Sequence, residues 1–388
     1  MEKLYYKDSE LTTFEATVTT CAPAGQGRYL IALDQTAFYP EGGGQPYDTG
    51  TLGEARVLEV HEKDGTILHT TDKPLEPGLA VTGQIDWRRR FSHMQNHTGE
   101  HILSGMIHQR FGYDNVGFHM GSDAVTVDFN GAISPEELFE VETAANRLIY
   151  DNVPVVTTCP SREELQSMDY RSKKELSGEV RIVTIPGGDT CACCGTHVKT
   201  TGAIGIIKIT GMINYKGGVR ISMLCGEDAL NDYRKRQGQV TDISHLLSAK
   251  ADAVTDAVAK LKAESAEKDM LINRHYHEIF AAKTKALPDS DAPLCLFEEN
   301  LNPVQLRQFC TMLYEQKKGS IVAVCSWNQN AFQFALGSGS LDVRQVSKGL
   351  NRQLNGRGGG SSMMVQGIWN AMEDEIRKAV LDPSIHMY

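Results

Sequence analysis

His97-Thr98-Gly99-Glu100-His101 and Cys193-Cys194-Gly195-Thr196-His197 have the composition of two halves of one metal site. The two histidines of the first stretch are four residues apart, so on a helix they project from one face. The second stretch repeats that spacing with a cysteine and a histidine around a turn that contains glycine. Three imidazoles and one thiolate complete a tetrahedral ligand set for Zn²⁺. We therefore predict zinc as a cofactor, with His97, His101, Cys193 and His197 as its ligands.

The cysteines favour a metal site over a disulfide framework. Nine are present, an odd number, and Cys191, Cys193 and Cys194 cluster in one segment. The N-terminus lacks the apolar segment of a secretion signal, so we expect a cytoplasmic protein whose cysteines are metal ligands and free thiols. On spacing alone, Cys191 and Cys194 remain alternative thiolate ligands.

The length and net charge of the chain limit the kinds of protein it can be. The chain has 388 residues, too many for one compact core, so two or three domains are expected. Its net charge of −10 argues against a general nucleic-acid coat, although an acidic body can still carry a local basic patch. No apolar run is long enough to cross a bilayer, so we expect no membrane partner.

Short β-rich runs separated by turns occupy residues 1–88 and predict a small β-barrel. The expected strands are Thr12–Thr20, Arg28–Leu33, Ala55–His61, Thr66–Thr70 and Ala80–Asp86. A helix is then expected from Trp87 to His108, because apolar residues recur there at helical spacing. Further elements predict an α+β block: a helix over residues 135–150 and strands at Ala124–Phe129, Val180–Ile185 and Ile204–Ile209.

The C-terminal third begins with a polar segment, Val240–Leu287, that predicts one long helix with an irregular apolar stripe. It would be a spacer or an arm that pairs two chains; the alternative is a helix exposed to solvent on all sides. Strands are expected at Ile321–Ser326 and Ala331–Leu336. The glycine-rich stretch Asn355–Ser362 predicts a loop whose N–H groups are accessible to an anion or phosphate.

These motifs together resemble the editing domain of alanyl-tRNA synthetases and the free-standing alanyl-tRNA editing proteins, AlaX. Phe38–Gln45 resembles the family's FYxExGGQ turn, and Thr201–Gly205 resembles the TGxIG that follows its second zinc half-motif. Asn355–Gly360 resembles the glycine-rich end of the DHHA1 domain. The resemblance covers nearly the whole chain in the family's order, and it favours Cys193 as the thiolate ligand.

The resemblance implies an α+β protein of the long AlaX type in four parts. These are a small β-barrel (1–88), a zinc-containing editing domain (89–238), a helical linker or dimerisation arm (239–290) and an α/β DHHA1-like domain (291–388). The implied activity is hydrolysis of mischarged Ser-tRNA(Ala), and also of Gly-tRNA(Ala). The implied partners are that tRNA and a second copy of the chain, paired through the C-terminal region. With no aminoacylation domain before residue 1, we do not expect the chain to charge tRNA.

Glu100 is the candidate catalytic residue, because it adjoins a ligand and a carboxylate can orient a water molecule. The alternative is a carboxylate on the solvent face of the helix. The resemblance places His119, Gly121 and Thr98 at the substrate, although His119 is equally explained by packing. His119–Ser122 stands where the synthetase has Gln-Lys-Gly-Ser, and Glu100 where it often has a small residue. Zinc with four protein ligands would be structural, whereas an exchangeable position would make it catalytic.

Basic residues form clusters that, as a set, are suited to follow a tRNA acceptor stem and elbow. Taken singly, each is an ordinary solvated face. The clusters are Arg88–Arg90, Lys173–Lys174, Lys199 with Lys208, Arg234–Arg236, and Lys348 with Arg352 and Arg357.

Two other functions fit parts of the sequence. His97-x-x-Glu100-His101 also matches the HxxEH pattern of a zinc peptidase, with Glu100 as general base. The Cys/His half-motif and the glycine motifs argue against that class. The remaining alternative is a noncatalytic, zinc-stabilised tRNA-binding protein, which would bind zinc and tRNA without deacylation.

Overall fold

The structure is a computed structural model and describes residues 1–121, 124–172, 180–382 and 384. Lys173 and Lys174 of the basic set, and Ser122 beside the expected substrate segment, lie outside the described residues. Two compact units make up the chain, Met1–Thr241 and Asp242–Tyr388. The four-part division expected from the sequence stays a prediction.

A closed barrel occupies the first part of the first unit, with strand order β2-β3-β7-β6-β5-β8. Alternation of inward and outward residues is clearest in its last strand, in which every second side chain is buried. The elements are β1 (Glu2–Lys3), α1 (Leu4–Lys7), β2 (Thr13–Gly25), β3 (Arg28–Leu33), β4 (Gln35–Thr36), β5 (Gly50–Leu52), β6 (Ala55–Lys63), β7 (Thr66–Thr71) and β8 (Ala80–Ile85). Strands β1 and β4 form a separate parallel pair. The two-residue strands and β5 were missed in the sequence because they are too short to show alternation.

The barrel leads directly into the helix that carries the first half-motif, α2 (Trp87–Phe111). The Asp86 side chain accepts a hydrogen bond from the Arg89 backbone N–H at the start of the helix, and Gly112, with φ 70°, ends it. Ile102, Leu103 and Ile107 are fully buried on this helix. The predicted helix is confirmed, three residues longer than expected.

Two sheets, two further helices and most of a third, α5 (Gly226–Leu247), make up the described remainder of the first unit. A four-stranded sheet has the order β14-β15-β10-β9, and a three-stranded sheet has the order β11-β12-β13. The elements are β9 (Asn115–Met120), β10 (Val125–Phe129), α3 (Pro135–Tyr150), β11 (Val156–Thr158), α4 (Arg162–Ser167), β12 (Ile182–Ile185), β13 (Asp189–Ala192), β14 (Ile207–Tyr215) and β15 (Gly218–Cys225). The expected strand at Ile204–Ile209 is wrong in its first half, because Thr201–Ile204 forms a 3₁₀ turn before β14 begins.

The predicted continuous helix from Val240 to Leu287 is also wrong. Helix α5 (Gly226–Leu247) ends, and α6 (Val254–Ala286) begins only after a 3₁₀ turn. Ser248 adopts a left-handed conformation with φ 50°, and the Ser244 hydroxyl donates to the Ala249 carbonyl at 2.5 Å. A serine in this conformation stops the helix without the proline or glycine that would have marked the break in the sequence.

A five-stranded sheet organises the second unit, in the order β16-β17-β18-β20-β19. Only the β16–β17 pair is parallel among its described pairings. The elements are β16 (Leu294–Glu298), α7 (Pro303–Glu315), β17 (Val322–Asn328), β18 (Ala331–Gly337), α8 (Val343–Gln353), β19 (Arg357–Gly360), β20 (Met364–Trp369) and α9 (Glu373–Val380). The glycine-rich stretch expected as a loop is therefore in part an edge strand, β19, and all four of its residues are exposed.

The predicted α+β class with an N-terminal barrel is confirmed. The DHHA1-like assignment of the last part is not tested by this architecture. Among the described residues, no helix combines the length and the apolar character needed to cross a bilayer.

Candidate metal centre

The four predicted ligands come together in one cluster, although their half-motifs are far apart in sequence. Helix α2 supplies His97 and His101, and the loop after β13 supplies Cys193 and His197. The Cys193 Sγ lies 3.4 Å from the Nε2 of His97 and 3.4 Å from that of His197. One ligand atom from each of the four residues lies within 4.8 Å of the others. The three imidazoles are 3–4% exposed, so the cluster is almost closed to water.

Each of the three imidazoles makes a hydrogen bond through its Nδ1, which leaves its Nε2 available to the cluster. The Nδ1 of His97 lies 2.8 Å from Gln45 Oε1, and that of His101 lies 2.9 Å from Asp189 Oδ2. The Nδ1 of His197 lies 3.1 Å from the Thr98 hydroxyl. Because these partners accept a hydrogen bond, they favour the tautomer that carries hydrogen on Nδ1 and a lone pair on Nε2. Metal-binding histidines are oriented in this way, so the donor set fits Zn²⁺.

The partners of these histidines are themselves fixed. Both carboxylate oxygens of Asp189 accept hydrogen bonds from Arg171, each at 2.7 Å. The Thr98 hydroxyl donates to the Met94 carbonyl at 2.8 Å, so its oxygen is free to accept from His197. The orientation of the imidazoles is therefore set before any ion binds.

Cys193 is better suited than its neighbours to act as the thiolate. Burial opposes its ionisation, but the three adjacent imidazoles hold the pKa of its thiol well below the ordinary value. Burial instead raises the pKa of Cys191 to about 11. Cys191 does form a second potential ligand group with His101 and Asp189. In that group the carboxylate is already engaged by Arg171, so we take Asp189 as an orienting partner of His101 and not as a ligand.

Gln45 connects the barrel to the metal cluster, a role that the sequence did not predict for it. Its side-chain oxygen contacts His97, and its amide nitrogen donates to the Thr196 hydroxyl at 2.9 Å. The preceding turn needs glycine: Gly44 has φ 87°, and a Cβ there would lie 2.6 Å from a ring carbon of Phe118. The FYxExGGQ-like motif was the available signal, since it ends at this glutamine.

A buried ion pair fixes the segment after that turn to the start of α2. Arg90 is 1% exposed, and its guanidinium binds the Asp48 carboxylate, which is fully buried. The same guanidinium donates to the Ser9 carbonyl at 2.8 Å. Arg90 was predicted as part of a basic cluster for tRNA; its burial makes that role wrong for this residue and gives it an anchoring role.

Glu100 is 2% exposed, so the alternative of a solvent-facing carboxylate is wrong. Its Oε1 accepts hydrogen bonds from the Ser104 hydroxyl, at 2.6 Å, and from the Asn115 amide. Thr98 is fully buried beside His197, whereas His119 and Gly121 are exposed. The structure thus brings Thr98 to the cluster, buries Glu100 on the same helix with its carboxylate bonded to Ser104 and Asn115, and leaves the other two at the surface.

Two cavities adjoin the cluster. One, of about 460 Å³, includes His197 itself in its wall. Among its other lining residues are Tyr6, Ser9, Arg181, Cys194 and Lys199. The second, of about 440 Å³, is formed by the glycine turn at residues 42–44 together with Gln45, His61 and His119. A buried N/S donor set next to cavities of this size is suited to bind a metal and act on a small group brought to it.

Comparison with known proteins agrees with these features. Residues 3–89 match the family model "tRNA synthetases class II (A)". Residues 180–222, which contain the Cys193–His197 loop, match "Threonyl and Alanyl tRNA synthetase second additional domain". The C-Ala domain of the Aquifex aeolicus alanyl-tRNA synthetase aligns over its whole length with 26% of this chain, at 24% identity and a TM-score of 0.23. That score is too low to support a shared fold.

The chain is also similar to complete curated proteins. It is 31% identical to the alanine–tRNA ligase of Pyrobaculum arsenaticum, over 97% of this chain but only 44% of that enzyme. The chain thus spans less than half the length of the ligases it matches. It is 31% identical to the alanyl-tRNA editing protein Aarsd1 of Rattus norvegicus, over 68% of each chain, and 31% identical to that of Danio rerio, over 73% of each. From this identity over more than two thirds of both proteins, the chain belongs to the alanyl-tRNA editing protein family.

Proposed function

We propose that this chain hydrolyses the aminoacyl ester of mischarged tRNA(Ala), with Ser-tRNA(Ala) as its main substrate and Gly-tRNA(Ala) as a second. The observation that carries the proposal is the buried cluster of three imidazoles and one thiolate, each imidazole oriented by a bonded partner. Family membership supplies the substrate class, because the relatives are named for alanyl-tRNA editing. A cytoplasmic location is part of the same proposal.

Hydrolysis of this ester requires the protein mainly to position the reacting groups. An aminoacyl ester is already activated, so the enzyme must place a water molecule and stabilise the oxyanion that develops. Held by His97, His101, Cys193 and His197 together, Zn²⁺ would anchor the site; where water replaced one of these ligands, it would supply Lewis-acid polarisation and favour ionisation of that water. The residues of the chain exclude bulk water, keep the imidazoles in one tautomer and hold the ester at the mouth of the cluster.

Glu100 is proposed to orient the attacking water. It is buried one residue before His101. Burial opposes protonation of that imidazole, but the neighbouring Cys193, Asp189 and Glu100 together raise its pKa above the ordinary value. Ser104 and Asn115 donate to one carboxylate oxygen of Glu100, which holds the side chain in place. A carboxylate fixed in this way is suited to accept a proton from water.

The surface beside the glycine turn is proposed to receive the amino acid. His119 lines the same cavity as Gly43 and Gly44, and Gly121 follows on the same segment. The burial of Thr98 behind His197 favours positioning of that imidazole over direct contact with substrate. Serine adds only a hydroxyl to alanine, and a synthetase pocket cannot reject it strongly, so hydrolysis after the error is the expected remedy.

The tRNA body is proposed to contact the second unit. A cavity of about 360 Å³ there is lined by glycines of β19 and by Arg344 and Lys348 of α8. Exposed glycine backbone next to cations is suited to binding phosphate.

We also propose that the C-terminal region is DHHA1-like and pairs two chains. The pairing is supported by α6, which exposes apolar side chains such as Leu261, at 53% exposure, and Met270, at 65%.

The decisive experiment measures deacylation of Ser-, Gly- and Ala-charged tRNA(Ala) by the zinc-loaded full chain. We expect Ser-tRNA(Ala) to be hydrolysed much faster than Ala-tRNA(Ala). Equal rates for the two esters would reject the specificity. Binding of zinc and tRNA without hydrolysis would support the noncatalytic alternative, and cleavage of peptides in place of esters would support the peptidase.

A further inference from the structure

A neutral cavity in the second unit has no role in the function proposed above. It lies where the β17–β18 hairpin turns, beside the start of α7, and has a volume of about 540 Å³. No charged side chain lines it among the described residues. Its polar wall consists of one indole and five side-chain amides, from Trp327, Asn300, Asn302, Asn328, Gln329 and Gln333.

Trp327 is held at one edge while much of its ring stays uncovered. The indole is 55% exposed, and it contacts Phe332 edge-to-face, with ring centroids 5.0 Å apart. Phe332 in turn packs edge-to-face on Phe297, with ring centroids 5.3 Å apart, so the ring that contacts Trp327 is itself held in place. Trp369, by contrast, is fully buried and stacked on Phe334, which shows where this unit places a tryptophan that serves its core. Trp327 therefore offers an aromatic surface that the fold itself does not use.

The amides around the indole are largely unengaged. Within the described part of the chain, the side chains of Asn300, Asn328, Gln329 and Gln333 make no hydrogen bond. Asn302 uses its oxygen to cap α7, accepting from the Val304 and Gln305 N–H groups, and keeps its NH₂ group. Each of the other four amides presents a donor and an acceptor side by side, the pattern that matches the edge of a nucleobase.

We propose that this cavity binds an unstacked nucleobase of the RNA substrate, with Trp327 as the stacking platform and Gln333 and Asn328 as contacts to the base edge. The inference rests on the proposed function for the choice of RNA as partner. It is supported by the match of the alanine–tRNA ligases over 97% of this chain, which takes in this unit. A cavity with no cation, next to Glu299 in sequence, is unsuited to phosphate, which leaves the base as the recognised group.

The test uses the full chain and measures binding of uncharged tRNA(Ala) and of single-stranded A₆, C₆ and U₆ RNA by fluorescence anisotropy. Trp327→Ala should weaken tRNA binding about tenfold, since a base stacked on an aromatic ring contributes of that order. Trp327→Phe should stay within about threefold of wild type, because it keeps a stacking face. Met372→Ala removes another exposed apolar side chain of this unit, one that is 73% exposed, and should change nothing. Thermal unfolding of each variant verifies that the fold is intact.

Two further measurements separate base recognition from binding of phosphate or of a sugar. The dependence of affinity on salt should be the same for Trp327→Ala and wild type, because no phosphate contact is lost. Gln333→Leu should change the order of preference among the three hexamers. If Trp327→Ala binds tRNA and all hexamers as wild type does, the inference is rejected. If it loses binding to maltohexaose while RNA binding is unchanged, the cavity is a sugar site and the inference is also rejected.

Failure of this inference is distinguishable from failure of the proposed function. A chain that deacylates Ser-tRNA(Ala) but has unchanged affinity in Trp327→Ala keeps the function and loses the inference. A chain that shows no deacylation, yet binds RNA in a Trp327-dependent way, loses the function and keeps the inference.

Discussion

The metal cluster and the glycine-rich surface of the second unit are organised in opposite ways. Every side chain of the cluster is buried or nearly so, and every imidazole has a bonded partner. Lys348, Arg352 and Arg357 around the glycine-rich strand make no close ion pair with another described residue, and that strand is exposed throughout. A site that acts on one bond needs fixed groups, whereas a surface that follows a phosphate backbone needs only accessible charge.

Removing a predicted zinc ligand is the strongest test of the buried metal cluster, and it should have the largest effect of the changes proposed here. We expect Cys193→Ala and His101→Ala to lose bound zinc and to lower deacylation by more than the roughly 10–100-fold that outer-shell changes cause. Cys194→Ala, next in sequence but outside the cluster, should keep its zinc. Metal analysis of the purified proteins, followed by deacylation assays, checks both. Full zinc content in both ligand variants would reject the assignment.

Acid should weaken the first unit through a buried histidine of the barrel. Burial lowers the pKa of His69 to about 4, whereas in the unfolded chain it is about 6.5. The unfolded chain therefore takes up a proton at this residue first, so the contribution of His69 to the free energy of unfolding is constant above pH about 6.5, falls as the pH drops, and levels off near pH 4. The total loss is about 3 kcal/mol.

The matched variants isolate this effect from that of the metal ligands, which all of the proteins share. His69→Gln should reduce the slope of stability against pH between about 4 and 6.5 by the share of this one residue, while His93, whose pKa burial also lowers to about 4, keeps its own share. His61→Gln changes a histidine of the same barrel whose side chain is 50% exposed, and it serves as the control for the substitution itself. Urea unfolding at several pH values measures the dependence of stability on pH for each protein. Identical slopes in the two variants would show that His69 does not titrate as its burial requires.

Glu100→Gln tests whether the fixed carboxylate does chemistry or only supports the cluster. We expect about a 100-fold slower hydrolysis, with zinc content and tRNA affinity near wild type, because the amide keeps the size but not the basicity. Ser104→Ala removes a hydrogen bond to the same carboxylate, at 2.6 Å, and should cost much less activity. An unchanged rate in Glu100→Gln would leave the side chain with a structural role alone.

The smallest expected effect belongs to the exposed surface of the second unit. Replacing Lys348, Arg352 or Arg357 singly by Ala should weaken tRNA binding severalfold and reduce the salt dependence by about one counterion each. The rate at saturating substrate should stay at the wild-type value, since phosphate contacts position and do not react. Affinities measured across a salt series provide the test. A variant that binds tRNA with wild-type affinity at every salt concentration would show that the replaced residue does not contact the tRNA.

Long elements with a regular pattern were predictable, and short or irregular ones were not. The alternation in β2 and β8 and the helical spacing in α2 were sufficient to identify those elements, because the physical signal repeats over many residues. The break at Ser248 was not predictable, since serine is common inside helices and only its left-handed backbone ends this one. Strand β19 was missed because glycine weakens a strand, yet pairing with β20 outweighs that preference.

By itself, the sequence determined the composition of the metal cluster, the barrel, the α+β class and the family. The i, i+4 spacing of two short motifs identified His97, His101 and His197 as candidate ligands, because each pair is local, and the family resemblance favoured Cys193 as the fourth. How these residues are held is visible only in the folded chain: Gln45, Asp189 and Thr98 orient the three imidazoles, and Glu100 is buried one residue before His101. Gln45 bonds Thr196 across 151 residues of sequence. Partners so far apart leave no local pattern, so such contacts exist only once the barrel, the helix and the cysteine loop have packed together.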